Sequence, residues 1–185
     1  MSVLVGCSMT GSNLQSEIIA GSHERLLVTP LRRSALLVGR ALKEIVPVLV
    51  QAIVIVAVTI PLGFSVAPAG LLVGLALLAT TAVGIGALSY ALALAVRHQE
   101  WMFWTVQQTL LFPLLLLAGV LLPLETGPGW MRAAASVNPL RHLVDAERAL
   151  FAGDVLSTAV LGGAVAAAVT AVVGVRVGIR AMLAA

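Results

Sequence analysis

GSHERLLVTPLRRSALLVGRALKE, Gly21 to Glu44, is the most basic stretch of a 185-residue chain that is 60% hydrophobic and 10% charged. It holds Arg25, Arg32, Arg33, Arg40 and Lys43, and Lys43 is the only lysine. The residues that follow alternate between apolar runs of membrane length and short polar links. A soluble domain carries about 25% charged residues, and so little charge cannot coat a globular surface. The composition, with a mean hydropathy of +1.07, therefore specifies an all-α, polytopic integral membrane helical bundle.

The basic stretch itself divides at Thr29-Pro30. Gly21 and Ser22 break the preceding segment, and a short helix can run from His23 to Val28. Thr as N-cap and Pro as first helical residue then signal a restart. From Pro30 the spacing is amphipathic: Leu31, Ala35, Val38 and Leu42 share one face, and Arg32, Arg33, Arg40 and Lys43 lie opposite. Such a helix lies along a membrane surface with its basic side toward water and phosphates. Upstream, residues 1–20 form a short apolar run interrupted by Ser12, Asn13, Gln15 and Glu17, which reads as a partial membrane helix.

Downstream, Ile45–Phe64 (IVPVLVQAIVIVAVTIPLGF) is a membrane span, since about 20 residues at 1.5 Å rise cross the hydrocarbon core. Residues 69–96 form a second span, with Gly74, Gly84 and Gly86 offering small surfaces for close helix packing. Residues 102–124 form a third, with Pro113 predicting a kink. Residues 125–154 read as a re-entrant, amphipathic connection, broken at Asn138-Pro139, in which Gly153 ends a helix and Asp154 caps the next. Residues 155–175 form the last span, followed by Arg176 and Arg180.

Polar residues inside spans are costly and mark helix contacts or transport paths. Gln51, Gln107 and Gln108 are the candidates for a translocation path. With the basic stretch in the cytoplasm, Arg25, Arg32, Arg33, Arg40, Lys43, Arg97, Arg176 and Arg180 fall inside, against Arg132, Arg141 and Arg148 outside. That split of 8 against 3 follows the positive-inside rule and places residues 125–154 outside and the C-terminus in the cytoplasm.

The chain lacks GxxxxGK[ST], HExxH and GxSxG, so no phosphate-binding loop, zinc helix or nucleophile elbow is expected, and neither are catalytic residues or cofactors. His23, His98 and His142 are scattered, and Cys7 is the only cysteine, which leaves no metal-ligand spacing. Basic residues outside the loops form no face, so nucleic acid is not an expected partner.

The run ERLLVTPLRRSALLVGRAL, Glu24 to Leu42, resembles the cytoplasmic segment of type-2 ABC transporter permeases of the daunorubicin/doxorubicin-resistance branch. Supporting it are Pro113, LLPLE (Leu121 to Glu125), Trp130, Asn138-Pro139 and the run from Arg148 to Asp154. The resemblance implies an exporter permease in a bacterial plasma membrane, carrying an amphipathic drug, antibiotic or lipid-like molecule. It implies a second permease half, identical or different, and a separate ATP-binding subunit. Glu24, Arg25, Leu26, Leu27, Thr29 and Pro30 would then form the coupling helix that docks on that ATPase. Measured against the family pattern, Met1 falls where a second membrane helix should already be under way, so the first helix is expected to be missing. The alternatives are a truncated or non-transporting membrane interaction protein and a membrane enzyme using Asp145 and Glu147.

Overall fold

The computed structural model describes residues 39, 43, 45–62, 67–96, 100–120 and 128–184. Among these the regular structure is entirely helical. Helix α1 spans Ile45–Thr59 and tightens into a 3-10 turn over Ile60–Leu62. It is followed by α2 (Pro68–Ala95), α3 (Glu100–Leu117), α4 (Gly129–Val137), α5 (Pro139–Phe151) and α6 (Thr158–Ala184).

Two helices, α2 and α6, are long and apolar enough to cross a membrane, while α1 and α3 are apolar but shorter. Large apolar side chains stand exposed along the bundle, among them Val46, Val50, Ile53 and Val54 of α1 and Leu161, Val165, Val169 and Val172 of α6. A soluble monomer does not present apolar surface on this scale, whereas lipid covers it without cost. The chain is an all-α membrane protein.

The centre of the bundle is the α2–α6 pair, the most extensive helix contact. It is built on missing side chains. A Cβ at Gly84 would lie 2.6 Å from the carbonyl of Thr170, and one at Gly174 would collide with the Gly84 carbonyl. The two backbones therefore touch at this crossing, which dispersion between closely spaced helices stabilises in the absence of a hydrophobic driving force. Thr81 and Thr170 satisfy their hydroxyls locally, donating to the carbonyls of Leu77 and Ala166 at 2.8 and 2.7 Å.

Helix α1 joins α2 through a small contact of Val48 on Ala82. Helix α3 runs through Pro113 without ending there and stops at Leu117, where Gly119 takes a positive φ of 70°. Its inward stripe is Phe103, Gln107, Leu111 and Leu115, one residue per turn. Phe103 is fully buried with Tyr90, Ala93, Leu94 and Met182 at one end. At the other end Leu115 and Ala118 pack with Leu140.

The start of α6 differs from expectation. Gly153 does close α5, at φ 92°, but Asp154 does not cap the next helix. Residues 155–157 form a further turn, and Ser157 serves instead, its hydroxyl accepting from the Val160 N–H at 3.4 Å. A serine directly before the first helical turn reaches the free amides, as an N-cap requires. Asp154 stands three residues too early.

Candidate functional site

The connection between α3 and α6 folds back onto the bundle as α4 and α5. Asn138 sets the break between them. Its side-chain oxygen accepts from the Leu140 N–H at 3.0 Å, capping α5, while its Nδ2 donates to the Leu114 carbonyl at 2.9 Å. Leu114 lies in the last turn of α3, where carbonyls lack intrahelical partners. One buried amide thus caps one helix start and satisfies one helix end. Arg148 adds a second tie, donating to the Gly119 carbonyl at 3.1 Å. On the outer face of α5, Asp145 sits between Arg141 and Arg148 at 3.7 and 3.8 Å.

The inner face of α5 carries Leu140, Leu143, Ala146 and Leu150, all buried. It rests where its neighbours are thinnest. A Cβ at Gly70 would lie 2.5 Å from the Leu150 carbonyl, one at Gly74 would lie 2.6 Å from Glu147 Oε2, and one at Gly163 would strike Ala146. Glu147 is the acidic residue on this face. Its Oε1 is buried with no hydrogen-bond partner among the described residues. Burial in this connection, outside the spans, raises its pKa from 4.5 to about 7, because the charged form loses its water.

Between α2, α3, the start of α5 and α6 lies a cavity of about 330 Å³. Its walls are apolar, with Ile85, Leu92, Leu110 and Leu111 typical. Three polar side chains line it: Ser89 from α2, Gln107 from α3 and Thr170 from α6, the last with its hydroxyl donated to the Ala166 carbonyl. Gln107 is 9% exposed, and both its Oε1 and the Ser89 hydroxyl are buried with no hydrogen-bond partner among the described residues. A wider, more open apolar trough of about 680 Å³ adjoins it, sharing Leu88, Pro139 and Thr170 and running along the exposed α6 residues Leu161, Val165 and Val169.

The three glutamines thus have different environments. Gln107 is buried and lines the cavity, whereas Gln51 and Gln108 are exposed. Gln107 and Gln108 differ by about 100° around the helix, and only the first falls on the Phe103–Leu115 stripe. The coupling candidates Glu24, Arg25, Leu26, Leu27, Thr29 and Pro30 lie outside the described residues. In the sequence Asn138 reads only as a helix breaker. A clue to Asn138 was present, since Asn before Pro at a helix start is a strong cap signal. Nothing in sequence pairs Asn138 with Leu114, 24 residues away.

Two short helices folded back onto a bundle of apolar helices, with a largely apolar cavity among them, define an all-α membrane protein. Comparison with known proteins gives the family. The ABC-2 type transporter family profile matches residues 1–152, and the chain belongs to this family. It is 30% identical over 146 residues to the daunorubicin resistance ABC transporter permease protein DrrB1 of Streptomyces coeruleorubidus, covering 78% of this chain and 51% of that one. It is 25% identical over 149 residues to the probable multidrug ABC transporter permease YbhR of Escherichia coli K12, covering 79% and 39%. The chain spans about half the length, or less, of these curated relatives. No solved structure matches.

Proposed function

We propose that this chain is the membrane-spanning subunit of an ATP-driven exporter of amphipathic drug-, antibiotic- or lipid-like molecules. The observation that carries the reading is the buried Gln107, its Oε1 without a partner among the described residues, in the lining of an apolar cavity inside a bundle of ABC-2 type. The names of the relatives, a daunorubicin resistance permease and a probable multidrug permease, favour an amphipathic substrate. ATP is bound and hydrolysed by a separate subunit, and a second permease half, identical or different, completes the path. The basic stretch and the C-terminus lie on the cytoplasmic side of a bacterial plasma membrane, and residues 125–154 lie on the outer side. Glu24 to Pro30 transmit ATPase closure, which moves the spans only if its contacts differ between the two states.

Pull-down of the tagged chain from its native membranes tests this. A P-loop ATPase should be recovered, and Arg25→Glu or Leu26→Asp should reduce its recovery at least about fivefold, the size of a modest coupling energy. Equal recovery with both variants overturns the coupling role, and no ATPase in any preparation overturns the exporter reading. A C-terminal fluorescent fusion that lights up only in the cytoplasm should be bright; a dark fusion on a folded chain reverses the orientation.

A further inference from the structure

Two carboxyls of α5 point to opposite sides, as residues two apart on a helix do. Asp145 lies outside, between Arg141 and Arg148. Glu147 turns inward, into a recess that exists because residue 74 of α2 is glycine: a Cβ there would lie 2.6 Å from its Oε2. Among the described residues no cation meets it there. Helix α2 carries no Asp, Glu, Lys, Arg or His. Helix α6 carries Arg176 and Arg180, more than three turns, or about 20 Å, beyond the Gly163 contact with α5. On α5 itself the two arginines face Asp145, and His142 Nε2 meets the Ser136 carbonyl at 2.9 Å. Arg132 of α4 and Asp154 of the following turn are exposed, and Glu100 stands at the opposite end of α3 from the α5 contact. Glu147 Oε1 has no hydrogen-bond partner, and burial alone raises this carboxyl from 4.5 to about 7.

The two ends of α5 are held unequally. Its start is fixed by Asn138, which caps it and bonds the Leu114 carbonyl. Its end runs into Gly153, at φ 92° and with open space around the position of a Cβ, a backbone state that glycine enters freely. The polar tie nearest that end is the exposed bond from Arg148 to the Gly119 carbonyl. Glu147 sits in this looser half, one turn before Leu150, whose carbonyl lies against Gly70. We propose that the C-terminal half of α5 is a proton-controlled strap, seated on the Gly70–Gly74 strip of α2 when Glu147 is neutral and lifted at Gly153 when Glu147 is ionised. Lifting returns the carboxylate to water, so acid tightens the strap and base loosens it. The seated form holds the proton more firmly than the lifted form, whose carboxyl titrates near 4.5. The lifted-to-seated ratio is therefore lowest below about pH 4.5, climbs as the pH rises toward about 7, and is level above that. The strap rests on the exporter reading for its use, control of the outer end of the path, and on the stated orientation for the side whose acidity it senses. The movement itself depends on neither.

The test uses the full chain in lipid nanodiscs, with Cys7→Ser and spin labels on Ala76→Cys of α2 and Ala152→Cys beside the end of α5, both exposed positions. Dipolar spectroscopy gives the distribution of label distances at about pH 5.5 and about pH 8.5, on either side of the Glu147 titration. The longer-distance population should rise against the shorter one by about ten- to thirtyfold, the upper figure for the full shift and the lower allowing for partial exposure. Glu147→Gln keeps the shape and removes the charge, so it should fold as the native chain does and hold the short distance at both pH values. Gly74→Ala fills the recess and should leave the ratio nearly independent of pH. A distribution in the native chain that ignores pH overturns the proposal, because the carboxyl then reaches water by side-chain rotation alone. A shift that persists in Glu147→Gln overturns the assignment to this residue. A pH-dependent distance with no ATPase recovered from native membranes would sustain the strap and sink the exporter reading; a pH-independent distance with the ATPase recovered would sink the strap alone.

Discussion

Replacing Gly84 by alanine adds one methyl group where α2 and α6 touch backbone to backbone. The new Cβ would lie 2.6 Å from the Thr170 carbonyl carbon and oxygen and 2.7 Å from the Ala171 nitrogen. All three are main-chain atoms, so no side chain can swing aside. Ordinary contact would require the helices to separate locally by about 1 Å, and overpacking of this kind costs about 1–3 kcal/mol. Alanine regains up to about 1 kcal/mol of helix propensity over glycine. The net expectation is a destabilisation of about 1–2 kcal/mol. Gly162→Ala is the control: its Cβ meets only His142 Nδ1 at 3.9 Å, so it takes the propensity gain without a clash and should be neutral or slightly stabilising. Gly174→Ala should resemble Gly84→Ala, and the double variant should cost less than the sum, because helices already parted accommodate the second methyl. Unfolding of the purified chain in detergent, followed by circular dichroism across a denaturant series, measures all four. A native-like Gly84→Ala, or a Gly162→Ala as damaging as Gly84→Ala, would refute the close-approach argument.

Other expectations follow from the connection between the spans. Because the pKa of Glu147 is raised from 4.5 to about 7, the native state holds its proton more tightly than the unfolded chain. Its stability should be greatest below about pH 4.5, fall as the pH rises toward about 7, and level off above that. Glu147→Gln should flatten this slope and, at pH 8, stabilise by about 1–2 kcal/mol once partial exposure is allowed for; an unchanged pH profile would show that the carboxylate is solvated. Asn138→Ala removes the α5 cap and the bond to the Leu114 carbonyl and should cost about 2 kcal/mol, with Asn138→Asp keeping the cap alone and losing less in the same unfolding assay. Arg148→Ala loses an exposed contact to Gly119 and a long ion pair, so its unfolding midpoint should move by less than about 1 kcal/mol equivalent.

The helices were legible because a bilayer imposes a length and a polarity that composition alone satisfies. The expected span over residues 69–96 coincides with helix α2, whereas of the span expected over Ile45–Phe64 the α-helix covers Ile45–Thr59. Asn138-Pro139 was equally plain as a boundary. What could not be read was azimuth within the spans. Helix α3 is apolar on every side, so nothing in its pattern told Gln107 from Gln108; packing against α2 decided it. Glu147 escaped for a related reason. Among the polar residues of α5 it turns inward, tolerated because Gly74 leaves a recess opposite. A glycine in a span announces that something approaches closely but never what, and the partners of Gly74 and Gly84 lie on helices far along the chain.

The manner in which α3 is held has a mechanical consequence. Phe103 is seated at one end of the helix, and Leu115 with the Asn138 tie is seated at the other. Between these abutments α3 crosses the cavity like a bridge deck, with Gln107 and Leu111 beneath the span. Bowing of the middle would therefore reshape the cavity while both footings stay loaded. Changes at the footings should alter how firmly the fold stands, and changes at mid-span should alter chiefly the space beneath it.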